Sequence, residues 1–151
     1  MRAVRVVVHT DVLMEFLLHD GRSESILRTA MAKFFCYTTV FNAIELFARA
    51  RNNRQRQAIE ATMSAMKILG LNPKNAVRQG KLLAHYPHVA PMDLLVAGIC
   101  MESRLPLLTA RRASFRGMKG LVVIPAHLVA SAATGGDILR ESKRLSGNGR
   151  A

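Results

Sequence analysis

Four short aliphatic runs, separated by stretches whose apolar residues recur with helical spacing, leave few folds open to this chain. The first, residues 4–8, is too short and too β-branched for a helix. It reads as a strand buried on both faces, the kind found inside a parallel sheet. Residues 34–40, 105–109 and 121–124 supply three more. Between them, Val12, Leu13, Phe16 and Leu17 form an apolar stripe that starts near Asp11 and stops at Asp20-Gly21. A second helix is expected over 23–33. Asn42 is placed to cap a third, which carries Ile44, Leu46, Phe47 and Ala50, turns polar over 51–57 and resumes with Ile59, Met63, Met66 and Leu69. Another helix fits 74–85, and Pro91 suits the first turn of one reaching Ser103. Strands alternating with helices predict an α/β fold: three layers, α/β/α, around a central parallel sheet of about four to five strands, with ligands at the strand C-termini. Residues 1–125 read as that domain. Residues 126–151 read as a C-terminal extension with a linker near 133–136, a short helix near 137–144 and a partly flexible tail.

Charge narrows the function. The 151 residues carry 22 Lys+Arg against 10 Asp+Glu, a net charge of +12, while half are hydrophobic and supply enough core for one domain. No uncharged apolar stretch approaches the ~18 residues that span a bilayer. His9 and Asp11 break the apolar start before it resembles a secretory signal, and Cys36 and Cys100 read as reduced, buried thiols, so a cytoplasmic protein beginning at Met1 is expected. The cationic excess points to a polyanion, nucleic acid first, because clustered Lys and Arg bind phosphates with release of counterions. Eight bases, Arg49, Arg51, Arg54, Arg56, Lys67, Lys74, Arg78 and Lys81, stand between Leu46 and Tyr86 against Glu60 alone. The basic face is therefore part of the fold and not an appended tail. With Tyr37 and Tyr86 the only tyrosines and no Trp, recognition of a nucleic acid rests on charge and shape more than on stacking.

In a chain this basic, the few acids are informative. Asp11 follows the first strand, Glu45 lies one turn into the helix after the second, and Asp93 opens the helix before the third. A parallel sheet can bring such positions together at its C-terminal edge, where clustered carboxylates would need a counterion such as Mg²⁺ or Mn²⁺. Each also has a purely structural reading. Asn42 and Glu45 have capping-box spacing, Asp93 suits a helix first turn, and Asp11 suits an N-cap.

Taken together, these segments resemble the PIN-domain family, the fold of VapC-type ribonuclease toxins. Val8-His9-Thr10-Asp11-Val12-Leu13 is similar to the family's opening motif, an aliphatic residue followed by Asp-Thr-Asn/Ser-Val-Leu. Thr39 with Glu45 six positions later is similar to the second. Pro91-Met92-Asp93 followed by the run ending at Thr109 resembles the third, and Arg111 to Phe115 with residues 120–124 resembles the closing turn and last strand. The resemblance covers about residues 4–125. It implies a divalent-metal-dependent endoribonuclease, the toxin of a toxin–antitoxin pair, with RNA as substrate, a cognate antitoxin, a homodimer, and Mg²⁺ or Mn²⁺ as cofactor. Glu45 and Asp93 carry over as metal-ligating carboxylates, Thr10 and Thr109 as hydroxyls that orient them, and Arg49, Arg51, Arg54, Arg56, Arg111, Arg112 and Arg116 are expected to hold the RNA backbone. Met63 and Met66 read either as core or as the lining of a dimer or antitoxin groove.

The departures are as specific as the match. The family's first Asp falls on His9, and the acidic or amide residues after its last Thr fall on Arg111 and Ser114. Three outcomes follow. Asp11 replaces the missing carboxylate, so that Asp11, Glu45 and Asp93 hold one Mg²⁺ and form the catalytic set. Alternatively His9 is itself a ligand, which favours Mn²⁺, Fe²⁺ or Zn²⁺. In the third, the metal site is too weak to fill, and the domain binds RNA or a protein partner without cleaving.

Overall fold

A computed structural model describes residues 3–19, 25–131 and 133–147. Five parallel strands form one sheet: β1 (Val4–Val8), β2 (Phe34–Thr39), β3 (Lys67–Leu69), β4 (Leu107–Thr109) and β5 (Val123–Pro125), in the order β3-β2-β1-β4-β5. Residues 6–8 of central β1 are buried on both faces, as their β-branched side chains favour, while Arg5 at its start is exposed. Val6 and Val8 pack into one layer with Leu13, Leu46 and Leu108, and Val7 into the other with Leu94, Val96 and Phe115. The expected α/β/α arrangement is therefore present, with five strands.

Eight α-helices complete the described fold: α1 (Thr10–Leu17), α2 (Ile26–Lys33), α3 (Val40–Arg49), α4 (Asn53–Ser64), α5 (Ala76–His85), α6 (Pro91–Ser103), α7 (Ala126–Val129) and α8 (Gly135–Gly147). Ser25 caps α2, its Oγ accepting from the Arg28 N–H at 3.1 Å. The expected stop at Asp20-Gly21 and the start at Ser23 lie outside the described residues. Arg104 ends α6 in the left-handed region (φ 54°) and turns the chain toward β4.

Several expectations need correction. Residues 67–69 continue the apolar spacing of α4 but form edge strand β3, paired Tyr37↔Lys67, Thr38↔Ile68 and Thr39↔Leu69. Tertiary pairing overrides the helical period there. Helix α3 is capped by Thr39, two residues into the expected strand end, and Asn42 is the third helical residue. Thr39 Oγ1 accepts from the Asn42 N–H and Asn42 Oδ1 from the Thr39 N–H, both at 3.2 Å. Pro125 pairs with Thr109 as the last residue of β5, a place proline tolerates because the strand is at the sheet edge. Met63 and Met66 are core residues. The linker-like residues 135–136 open α8, which buries Ile138 against the α1/α2 layer. Glycine is required at 135 because the α8 backbone runs so close to α2 that a Cβ would stand 2.5 Å from the Lys33 carbonyl oxygen.

Candidate functional site

The chain travels outward from β1 through β2 to β3, then returns to the other side of β1 for β4 and β5. Strand order thus reverses between β1 and β4, and the crevice beyond the strand C-termini at such a point is where open α/β sheets bind ligands. Residues 9–11 leave β1 there, residues 109–111 leave β4, and α3 and α6 begin beside them. Asp11 and Asp93 meet at this edge on either side of the His9 ring, while Glu45 reaches it through Thr10, the residue between His9 and Asp11.

His9 is its centre. The ring is fully buried, with Nδ1 3.2 Å from Asp11 Oδ1 and Nε2 3.0 Å from Asp93 Oδ1. The Phe115 ring closes the remaining side edge-on, its centroid 5.5 Å away. Burial alone would drive the proton off. The hydrogen bonds and charges of Asp11 and Asp93 outweigh it and raise His9 from 6.5 to about 9. Both nitrogens therefore donate at neutral pH, and an imidazolium lies between two carboxylates.

Asp11 is held from every direction. Its Oδ1 accepts from His9 and from the Val12 N–H at 2.8 Å, and its Oδ2 accepts from Thr109 Oγ1 at 2.8 Å and the Ala110 N–H at 2.9 Å. Arg111 Nε stands 3.9 Å from the same Oδ2. Burial pushes the Asp11 carboxyl up, but His9, Thr109 and Ala110 together hold it below the usual carboxylate range. It is not the N-cap of α1; that position belongs to His9. Nor is Glu45 a capping-box partner. Its Oε1 accepts from Thr10 Oγ1 at 2.8 Å, and Thr10 accepts in turn from Asn42 Nδ2 at 2.8 Å. Ser114 sits in the 3-10 turn Arg112–Phe115, its N–H on the Arg111 carbonyl at 3.0 Å.

The donor set does not fit a divalent ion. A carboxylate offers about four lone-pair sites, and Asp11 spends them on four protein donors. Two oxygens on one Mg²⁺, each about 2.0–2.1 Å from the ion, must lie close together, whereas an imidazole ring separates Asp11 from Asp93. Among the described residues no group of three or more His, Cys, Asp or Glu side chains is disposed to hold a metal.

Most of the arginines expected to hold RNA fall into two regions. Arg49, at the end of α3, Arg51, in the connection between α3 and α4, and Arg54 and Arg56, in the first turn of α4, are exposed. The other region borders a cleft of about 1010 Å³ between the 112–121 segment and the end of α8, lined by Arg112, Arg116 and Lys119. Arg112 is partly engaged there, donating to the Leu145 carbonyl at 3.2 Å. Sequence reading missed Lys119, and it missed Thr39 and Asn42 as supports of the site. The Thr-x-x-Asn spacing at a strand end was the signal available for the last two.

No curated protein matches the chain. Among solved structures, DNA-bound VapBC from Salmonella typhimurium is similar at a TM-score of 0.68 and 15% identity, covering 82% of this chain and 98% of that one. VapBC-1 from nontypeable Haemophilus influenzae is similar at 0.68 and 14%, covering 82% and 99%. VapBC2 from Rickettsia felis, bound to a fragment of its promoter DNA, is similar at 0.66 and 16%, covering 80% and 97%. These likenesses show the shared fold, and the sequence model of the PIN domain matches residues 6–120. With the five-stranded parallel sheet and a polar cluster at its switch point, that match establishes that this chain belongs to the PIN-domain family.

Proposed function

We propose that this chain is a toxin–antitoxin-type PIN module that binds RNA through phosphate contacts without metal-dependent cleavage. The single observation that carries this reading is His9, whose ring takes up the Oδ1 atoms of both Asp11 and Asp93. Arg111 adds a second cation beside Asp11, so the edge resembles a neutralised carboxylate cluster more than an open ligand set. Phosphate binding rests on the exposed Arg49, Arg51, Arg54 and Arg56 and on the cleft bordered by Arg112, Arg116 and Lys119. A cognate antitoxin as partner is supported by the VapBC complexes that share the fold. A homodimer acting in the cytoplasm completes the proposal, and no helix among the described residues is long and apolar enough to cross a membrane.

A second reading, the divalent-metal-dependent endoribonuclease, is favoured by the arrival of Asp11, Glu45 and Asp93 at one strand edge. One experiment separates the two. A mixed RNA pool is incubated with the protein in Mg²⁺, Mn²⁺ or EDTA, beside Asp93→Asn and Glu45→Gln, and binding is measured over a salt series. The binding module predicts no cleavage under any condition and affinity that falls steeply with salt. EDTA-sensitive cleavage that both substitutions abolish overturns it in favour of the nuclease.

A further inference from the structure

We infer that the cleft between the 112–121 segment and the end of α8 is a binding site for a nucleoside carrying a 5′-polyphosphate, free or at the end of an RNA strand. The RNA reading above uses this cleft only for phosphate contacts; a nucleotide site goes beyond that reading and is tested apart from it.

Three observations carry it. First, the cleft joins cations to an apolar floor. Arg112, Arg116 and Lys119 are exposed along its rim, Phe115, Met118 and Leu121 are buried beneath them, and no acid is among the described residues that line it. At about 1010 Å³ it stands at the upper end of the roughly 300–1,000 Å³ that small-molecule sites occupy. A bare phosphate would leave the floor uncovered, and an apolar molecule would leave the cations unmatched. A nucleoside polyphosphate answers both, its base lying against the floor and its phosphates meeting the guanidinium forks and the ammonium.

Second, those cations are not engaged by carboxylates. The arginines ion-paired among the described residues are Arg78, Arg111, Arg140 and Arg144. Two of these belong to α8 itself, where Asp137 and Glu141 neutralise them from three residues away. Charge on α8 is thereby held within the helix, while charge on the facing segment is left for a ligand.

Third, the walls are preformed. Arg112 donates to the Leu145 carbonyl at 3.2 Å, and Ser146 Oγ accepts from the Val123 N–H at 3.3 Å, so the end of α8 is tied to both sides. Behind the loop, the Lys119 N–H donates to Tyr86 Oη at 3.2 Å. Between left-handed Gly117 (φ 80°) and Gly120 (φ 84°) the loop carries Met118 inward and Lys119 outward. Walls fixed in this way cost little further ordering when a ligand binds. Leu121, Val123 and the end of α8 lie beyond residue 120, where the PIN-domain match ends. The cleft therefore exists only because the C-terminal extension packs beside the family's fold.

The test is isothermal titration of the full chain with ATP, GTP, tripolyphosphate and adenosine, in EDTA at fixed salt. It is repeated with Arg116→Gln/Lys119→Gln and with Arg140→Gln/Lys143→Gln, which removes the same charge from α8 outside the cleft. Hydrogen exchange with and without ATP reads where the nucleotide sits. The expected result is one ATP or GTP per chain, bound at least about tenfold more tightly than tripolyphosphate or adenosine. The first double variant weakens it by at least about tenfold, the second leaves it nearly unchanged, and protection appears in the 112–121 segment and the end of α8. A 5′-triphosphorylated RNA oligonucleotide that displaces ATP better than its 5′-hydroxyl twin assigns the site to RNA ends; equal displacement assigns it to the free nucleotide. Tripolyphosphate binding as tightly as ATP, equal losses in both double variants, or protection confined to α4 overturns the inference. A folded chain that binds RNA but neither ATP nor GTP overturns it alone. A chain that binds ATP in the cleft but no RNA overturns the RNA reading alone.

Discussion

Raising the pH through the range in which His9 loses its proton should weaken the fold by a predictable amount. In the unfolded chain the imidazole titrates near 6.5, and in the folded protein the two carboxylates hold its proton up to about 9. At about 1.36 kcal/mol per pH unit, that difference is worth about 3 kcal/mol. A group whose folded value is raised contributes its full stability below the unfolded value, so the contribution is complete below about pH 6.5 and fades as the pH climbs through about 9. The structural reason is a count of donors. A neutral imidazole has one N–H and can serve Asp11 or Asp93 but not both. The assay is urea denaturation of wild type and His9→Asn at pH 6, 7.5, 9 and 10, the difference between them cancelling the titration of groups that do not touch His9. The wild-type advantage should shrink by about 3 kcal/mol over that range, equivalent to roughly 6–12 °C in Tm. A difference that stays flat between pH 6 and 10 would refute the ion-pair account of His9. Asp11 has the opposite sign: its folded value is lowered, so its contribution is present above the ordinary carboxylate value and is lost as pH falls through the folded one.

Thr109→Val should cost about 1–3 kcal/mol by chemical denaturation, because it strips a donor from Asp11 and the acceptor of the Arg111 N–H. Ile138→Ala should cost about 2–5 kcal/mol if α8 is part of the folded core, as its burial indicates; a change within error would detach α8 from that core. Gly135→Ala should lower stability by roughly 1–3 kcal/mol in a thermal melt, since the added methyl meets the Lys33 carbonyl, a backbone atom that cannot swing aside.

Strand β1 was legible because VRVVV is β-branched at four of its five positions and too short for a helix. Helix α6 was legible from Pro91 and from the apolar residues Leu94, Val96, Ala97 and Cys100 that follow. Strand β3 was not. Its three residues keep the spacing of the preceding helix, and only hydrogen bonding to β2 makes them a strand. The start of α3 was displaced for a related reason: Thr39 and Asn42 are both good caps, and the choice between them depends on where β2 stops pairing.

At the site, residue types and chain order placed Asp11, Glu45 and Asp93 at one edge, because a parallel sheet delivers all its strand ends to the same side. The excess of Arg and Lys and its concentration between Leu46 and Tyr86 were likewise readable without coordinates. Whether those acids face a metal or a histidine was not. His9 and Asp93 are 84 positions apart, and no period or spacing links them. Their contact exists because β1 and α6 are packed against each other in the folded chain, and it is there, at 3.0 Å and out of reach of water, that an ordinary imidazole becomes a cation held by two carboxylates.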